Sequence, residues 1–200
     1  MDKHIFIFDL DSTITKEEIL PKISISVNKL EEMRHLTEAT MLGELPFEES
    51  FTNRVKLLSD LPVDYVQDVV ANVLLNENLA NFIRKHKDIC YIVTGNLDAW
   101  ICKLVEKLGM QEHCFCSHAK VVDNKLLGIE TIINKKQIVS DMGNGLVVIG
   151  DGSNDADMIS VAEVGIGFGG VRDVAPAVLK VCTHAIYDEN KLVEFLNKLI

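Results

Sequence analysis

The 200-residue sequence is short of positive charge. It has 20 Lys and Arg residues against 30 Asp and Glu residues, which gives a net charge of −10 at pH 7. Nucleic acids and anionic membranes repel such an acidic chain, since both carry negative charge. The sequence also lacks the run of about 18 apolar residues that a membrane-spanning helix needs. We therefore expect a protein that binds neither nucleic acid nor membrane, and its oligomeric state stays open.

Export signals and disulfide spacing are missing as well. The uncharged stretch from His4 to Phe8 ends at Asp9, which is too short for a signal peptide. The five cysteines are an odd number without the spacing of a disulfide framework. Without export, the cysteines should stay reduced, so the sequence predicts a cytoplasmic protein.

What the sequence does contain is a series of short apolar runs that alternate with helix-length segments. One such segment, Leu97–Leu108, has apolar residues at helical spacing and is followed by Gly109. Strands that alternate with helices indicate an α/β fold, so we expect a doubly wound, mainly parallel, Rossmann-like sheet. The apolar runs are His4–Phe8, Ile89–Val93, Leu146–Ile149 and the candidate Val164–Phe168.

Residues 14–75 have a different pattern. Three of the four prolines lie there, and segments with helical spacing occur at 30–41 and 66–74. We expect a small helical cap over residues 14–75, inserted into an α/β catalytic core of residues 1–13 and 76–200. A weakly alternating stretch from Ala119 to Gly128 predicts a hairpin that turns at Asp123-Asn124.

Carboxylates follow two of the predicted strands. Asp9 and Asp11 end the first strand, and Asp151 and Asp155 follow the third, with a glycine on each side of Asp151. In an open α/β sheet the carboxyl ends of the strands form the binding edge, so these groups should meet. Their mutual repulsion needs a cation, and hard oxygen ligands suit Mg²⁺. We therefore predict Mg²⁺ as the cofactor.

Phosphate-binding groups are expected at the same edge. Thr94 and Gly95 end the second strand and can donate to an anion there. Lys135 and Lys136 are adjacent cations, and either of them can neutralise a phosphate group.

Taken in order, these motifs resemble those of the haloacid dehalogenase superfamily of phosphohydrolases. The motifs Asp-x-Asp-x-Thr, Thr-Gly, Lys and Gly-Asp-Gly-x-x-Asp span nearly the whole chain. The resemblance implies that Asp9 is the nucleophile and Asp11 the general acid and base. It also implies that Mg²⁺ is held by Asp9, the Asp11 backbone carbonyl and Asp151, with Asp155 close by or acting through water. Lys135 fits the phosphate-binding position better than Lys136.

A closer resemblance is to the phosphoserine phosphatases of that superfamily. It implies that Glu18 meets the substrate ammonium group and that Arg54 binds its carboxylate, which complements an amino-acid phosphate. Asn96 departs from the Ser-Gly-Gly pattern of those enzymes and adds bulk beside the pocket. The other substrate-binding residues that it implies are Met41, Phe47, Thr94, Gly95, Lys135 and Asn154.

Parts of the sequence allow other interpretations. A phosphatase for another small phosphorylated metabolite is favoured if Asn96 reshapes the pocket, and a phospho-receiver or binding module is the non-enzymatic alternative. We interpret Cys114 and Cys116 as small buried thiols rather than zinc ligands, because their spacing is not that of a zinc site. The glycine-rich stretch Gly165–Gly170 lacks the dinucleotide-binding spacing and is interpreted as a loop near the active site.

Overall fold

The computed structural model describes residues 4–200 and contains a seven-stranded sheet. Its strand order is β4-β3-β2-β1-β5-β6-β7, and every neighbouring pair is parallel except β3 and β4. The mainly parallel sheet is therefore confirmed. The strands are β1 (Ile5–Phe8), β2 (Cys90–Leu97), β3 (Cys114–Val122), β4 (Lys125–Thr131), β5 (Leu146–Gly150), β6 (Val164–Phe168) and β7 (His184–Ile186).

Helices cover both faces of this sheet. Successive residues of a strand point to opposite faces: Phe6 and Phe8 join one apolar core, while Ile7 joins a second. Helices α5 (Glu77–Lys85), α6 (Asp98–Leu108) and α10 (Glu189–Leu196) pack on the first core. Helices α7 (Lys135–Asp141), α8 (Ala156–Ile159) and α9 (Pro176–Leu179) pack on the second. Strands β1 and β5 contain only apolar residues and glycine, as expected for strands that are covered on both faces.

Two local predictions agree with the structure. Helix α6 buries Trp100 and Leu104 and ends at Gly109, whose φ of +71° is the left-handed conformation that glycine adopts readily. The antiparallel pair β3 and β4 turns at Asp123 and Asn124, both with positive φ. That is the signature of a tight hairpin turn.

Four helices lie between β1 and α5: α1 (Ile19–Ser24), α2 (Leu30–Met41), α3 (Phe47–Leu58) and α4 (Val63–Ala71). The chain enters and leaves this helical segment at one place, because Thr15 forms an antiparallel bridge with Leu75. None of the helices in residues 4–200 is long and apolar enough to cross a membrane. The first three residues of the predicted core range 1–13 lie outside the described part of the chain.

Two expectations about local structure are wrong. Helix α4 ends at Ala71 rather than at Leu74, because the Asn72 side chain donates to the Asp68 carbonyl and the chain then turns toward the Thr15 bridge. The stretch Gly165–Phe168 is a buried strand, so only the last two glycines of that motif lie in a loop. A Cβ atom on Gly165 would lie 2.7 Å from the Ile159 side chain, so this glycine permits close packing.

Candidate active site

The candidate active site lies at the carboxyl ends of the three central strands. Strands β2 and β5 flank β1, so the residues that follow or end these strands come together. Asp9 follows β1, Thr94 lies near the end of β2, and Asp151 follows β5. The sheet topology thus joins groups that are more than fifty residues apart in the sequence.

Asp9, Asp151 and Asp155 form a buried group, here called the acidic cluster. One carboxylate oxygen from each lies within 4.8 Å of the others, and all three residues are buried. Within residues 4–200 this is the only group of three His, Cys, Asp or Glu side chains arranged to hold a metal ion. Three buried hard oxygen donors around one point fit a divalent cation. Burial also raises the pKa values of Asp9 and Asp151 above the ordinary range for Asp.

The cysteine motif does not form a comparable group. Cys114 and Cys116 are half-buried, and the His118 ring nitrogen lies 2.9 Å from an Asp98 carboxylate oxygen. The two thiols, predicted to be buried, are thus only partly so, because β3 lies beside the outermost strand of the sheet.

Lys135 bridges two members of the acidic cluster. Its Nζ donates to Asp9 Oδ1 at 2.5 Å and to Asp155 Oδ1 at 2.7 Å. Burial alone would lower the pKa of Lys135, yet the two carboxylates raise it above its usual value. Lys136 is exposed, so the structure places Lys135 rather than its neighbour at the cluster.

The loop after β5 is shaped around Asp155. Its Oδ2 accepts hydrogen bonds from the backbone N–H groups of Asp151 at 3.1 Å and Gly152 at 2.9 Å. A Cβ atom on Gly150 would lie 2.6 Å from that same oxygen. Gly150, the first glycine of the Gly-Asp-Gly motif, is therefore needed to leave room for the Asp155 side chain, which folds back over the backbone.

Asp11 faces the pocket from the turn after β1. Its Oδ1 accepts a hydrogen bond from the backbone N–H of Ile19, the first residue of α1, at 2.9 Å. Burial, followed by repulsion from Glu18, raises the pKa of Asp11 to about 7. A carboxyl group with such a pKa exchanges protons readily near neutral pH.

Three charged side chains form a second group beyond Asp11, here called the recognition region: Glu18, Arg54 and Arg172. Arg54 projects from α3 and is buried; its only recorded hydrogen bond within residues 4–200 reaches Thr37 Oγ1 at 3.5 Å. Burial lowers the pKa of Arg54 to about 10. Arg172 donates from Nη1 to Glu18 Oε1 at 2.8 Å and from Nε to Asp151 Oδ2 at 2.5 Å.

Sequence reasoning missed Arg172. The residue lies in the loop that follows β6, which is another carboxyl end at the same edge of the sheet. Ligands of open α/β sheets bind at the carboxyl ends of the strands, and applying this rule to β6 as well as to the first three strands identifies the loop.

Phe47 is the main contact between the helical segment and the sheet edge. Its ring lies against Gly95, where a Cβ atom would approach the ring Cζ to 2.5 Å, and stacks on Phe51 with centroids 5.4 Å apart. The Ser153 hydroxyl adds a hydrogen bond of 2.7 Å to the Thr40 carbonyl. The helices thus close over the acidic cluster through specific contacts.

One pocket collects most of the residues that the sequence singles out. Within it, the Asn96 backbone N–H donates to Thr94 Oγ1 at 3.2 Å. Asp151 and Lys135 are not among the residues that line the pocket. Asp151 contacts the lining residue Arg172, and Lys135 contacts the lining residue Asp9. Predicted residues that line the pocket are Asp9, Asp11, Glu18, Met41, Phe47, Arg54, Thr94, Gly95, Asn154 and Asp155, and Arg172 and Asn96 are among its other lining residues.

Comparison with known proteins gives one family. Residues 6–160 match the sequence model of the haloacid dehalogenase-like hydrolases. The phosphoserine phosphatase of Methanocaldococcus jannaschii is 32% identical, over 97% of this chain and 96% of its own length. That of Archaeoglobus fulgidus is 30% identical over 87% of this chain, which spans 56% of that relative.

Solved structures agree with the sequence comparison. A substrate-bound phosphoserine phosphatase complex superimposes with a TM-score of 0.84 at 26% identity, covering 98% of this chain and 99% of that one. A phospho-aspartyl intermediate analogue of phosphoserine phosphatase gives a TM-score of 0.82 at 27% identity, covering 97% and 99%. The fold is therefore shared along almost the entire length.

Proposed function

The chain belongs to the haloacid dehalogenase-like hydrolases, and on that premise we propose that it hydrolyses small phosphomonoesters through an aspartyl-phosphate on Asp9, with O-phospho-L-serine as a substrate. The observation that carries the proposal is the buried Asp9 carboxylate, held by Lys135 beside Asp151 and Asp155 and open to the pocket. Membership of a hydrolase family argues against the non-enzymatic alternative, a phospho-receiver or binding module.

The chemistry divides one displacement into two. An Asp9 carboxylate oxygen attacks phosphorus while the bond to the serine oxygen breaks and Asp11 gives that oxygen a proton. Water then attacks the aspartyl-phosphate as Asp11 takes its proton, which releases phosphate and restores Asp9. The pKa of Asp11, raised to about 7, supports both proton transfers near neutral pH.

The acidic cluster and the Asp11 backbone carbonyl would supply the ligands for Mg²⁺. Asp9, Asp151 and the Asp11 backbone carbonyl would hold the ion, and both oxygens of Asp155 already accept hydrogen bonds, which favours contact through water. When bound, the ion neutralises negative charge that would otherwise keep an anionic nucleophile from an anionic substrate. Lys135, the Thr94 hydroxyl and the Gly95 amide would hold the phosphoryl oxygens.

The rest of the pocket suits an amino acid. Arg54 has no carboxylate partner within residues 4–200 and can bind the substrate carboxylate, and Glu18 lies in the same pocket for the ammonium group. Met41, Phe47 and Asn154 line the space between them. The similarity to phosphoserine phosphatases supports phosphoserine as the substrate.

Helices α1–α4 would act as a lid that excludes water once substrate is bound. The paired entry and exit of this segment at Thr15 and Leu75 support the cap range 14–75 and the core ranges 1–13 and 76–200. A cytoplasmic location and a role in serine biosynthesis stay predictions.

The test is phosphate release from O-phospho-L-serine and p-nitrophenyl phosphate, measured with Mg²⁺ and with EDTA. We expect Mg²⁺-dependent turnover of both esters, with the higher kcat/KM for phosphoserine. Hydrolysis that is equally fast in EDTA would contradict the metal assignment. Turnover of the aryl ester alone would contradict the substrate.

A further inference from the structure

The carboxylate expected to bind the substrate ammonium group already has a cationic partner. Arg172 donates to Glu18 at 2.8 Å and to Asp151 at 2.5 Å, and it lines the same pocket as Glu18. The side chains of Glu18 and Arg172 are 27% and 24% exposed, so water screens this pair only in part. A substrate ammonium group therefore competes with an arginine that two carboxylates hold in place.

The charges around the non-phosphate end of the substrate do not match a zwitterion. Glu18 already forms an ion pair with Arg172, which it shares with Asp151, whereas Arg54 forms no ion pair within the described chain. The charged group without an ion-pair partner is therefore one buried guanidinium, which attracts an anion. An amino acid offers both a carboxylate and an ammonium group, but only the carboxylate finds an unpaired partner.

We propose that Arg172 is a specificity-determining residue that occupies Glu18 and makes the substrate ammonium group dispensable. The substrate class is then a small phosphomonoester with a carboxylate on its carbon skeleton, with or without an amino group. This inference rests on the proposed function, because it assumes hydrolysis at Asp9. It deepens that function by stating which part of phosphoserine the enzyme requires.

The preference for a substrate with an ammonium group over one without it distinguishes a Glu18 paired with Arg172 from a free Glu18. A site with a buried polar group reserved for a substrate N–H rejects the analogue that lacks it by roughly 10⁴-fold. Such a penalty arises because the protein group is left without a partner. Here Arg172 remains the partner of Glu18 when the substrate has no ammonium group, so the penalty disappears.

The direct test uses the wild-type enzyme with Mg²⁺ and two substrates. O-phospho-L-serine is compared with 3-phosphonooxypropanoate, which keeps the phosphate and carboxylate and has a hydrogen in place of the ammonium group. We expect kcat/KM values that differ by less than about tenfold, far from the roughly 10⁴-fold of a dedicated ammonium site. A larger preference for phosphoserine overturns the proposal.

Substitution of Arg172 tests whether this residue is the reason that the ammonium group is dispensable. In Arg172→Met the Glu18 carboxylate is free, so we expect the kcat/KM ratio to shift toward phosphoserine by at least about tenfold. Because Asp151 also contacts Arg172, the variant can slow both substrates, but a common loss cancels in the ratio. An unchanged ratio overturns the proposal.

Two further variants control for charge and folding. Arg172→Lys keeps a cation beside Glu18 and should shift the ratio less than Arg172→Met. Arg34→Met removes an exposed arginine that pairs with Glu31 on α2 at 3.3 Å, outside the pocket, and should leave the ratio unchanged. If Arg172→Met does not fold, the wild-type ratio and Arg172→Lys decide the matter.

The outcomes also separate this inference from the proposed function. Good turnover of phosphoserine with poor turnover of the analogue overturns the role of Arg172 alone. If the enzyme hydrolyses p-nitrophenyl phosphate but neither carboxylate-bearing ester, the proposed substrate and this inference both fail. If none of the three esters is hydrolysed, the phosphatase proposal itself fails.

Discussion

The acidic cluster and the recognition region hold their charges in different ways. The cluster is built at strand ends: Asp9 follows β1, and Asp151 follows β5. Its buried partner Lys135 begins α7. The recognition region is built on the inserted helices and the loop after β6, which carry Arg54 and Arg172. One group belongs to the edge of the sheet, and the other to the segments that surround it.

Burial follows the same division except at Arg54, which is itself buried. The Lys135 and Asp155 side chains are 5% and 0% exposed, whereas those of Arg172 and Glu18 are about five times as exposed as that of Lys135. A charge at the cluster has no water to replace a lost partner, so each substitution there should remove function. Glu18 and Arg172 can exchange partners, and Arg54 has no carboxylate partner to lose, so substitutions in the recognition region should change which substrate is preferred.

The largest effect is expected at Asp9. Asp9→Asn removes the nucleophile, so kcat for phosphoserine and for p-nitrophenyl phosphate should both fall by on the order of 10⁴-fold or more. Steady-state assays, with circular dichroism to verify the fold, provide the measurement. Substantial remaining activity on either ester would refute the nucleophile assignment.

Lys135 is expected to come next, and the chain supplies a matched control beside it. Lys135→Met should lower kcat by roughly 10²- to 10³-fold on both esters, since a donor to the phosphoryl group is lost. It should also destabilise the fold by about 3–5 kcal/mol, because Asp9 and Asp155 lose their buried counter-charge. The exposed Lys136→Met should change neither quantity, as measured by kinetics and urea unfolding. Equal effects of the two variants would contradict the assignment.

Mg²⁺ should stabilise the protein by a smaller amount that depends on pH. At 100 times its Kd a ligand adds about 2.7 kcal/mol. Since burial raises the pKa values of Asp9 and Asp151, both keep their protons to a higher pH than ordinary Asp, and Mg²⁺ must displace those protons. The rise in Tm should therefore be larger at pH 8 than at pH 5.5.

Differential scanning calorimetry with and without Mg²⁺ measures this difference. The Asp151→Asn variant should lose most of the Mg²⁺-dependent rise in Tm at both pH values. A rise that is the same at pH 8 and pH 5.5, or that survives in this variant, would place the ion elsewhere.

The smallest effect is expected at Arg54, and it should be selective. Arg54→Met should lower kcat/KM for phosphoserine by roughly 10- to 100-fold, the range of one or two charge-assisted hydrogen bonds. Hydrolysis of p-nitrophenyl phosphate should change little, because that ester has no carboxylate. Equal losses on both esters would mean that Arg54 supports the structure of the pocket instead of recognising substrate.

The same division explains what could be predicted from the sequence. The sheet, and the meeting of Asp9 with Asp151, follow from apolar runs that end in carboxylates, because parallel strands share one edge. The hairpin turn at Asp123-Asn124 was also predictable, because few residues adopt a positive φ readily. These features depend on local chemistry and on one general rule of topology.

The pairing of Arg172 with Glu18 could not be predicted in that way. The two residues are 154 positions apart in the sequence. In the sequence alone, each looks like an ordinary solvent-exposed charged residue. Their contact depends on the path of a loop and on the placement of an inserted helix, neither of which has a periodic signal. Selectivity is therefore harder to predict from a single sequence than the chemistry of the reaction.

The strand order has a consequence for how the chain emerges from the ribosome. Strand β1 is made first, yet its two neighbours in the sheet, β2 and β5, begin only at Cys90 and Leu146. Until then an apolar segment with two open hydrogen-bonding edges has no native partner, and such segments aggregate. Slower translation between residues 9 and 146 should therefore lower the soluble yield, while the same delay after residue 150 should not.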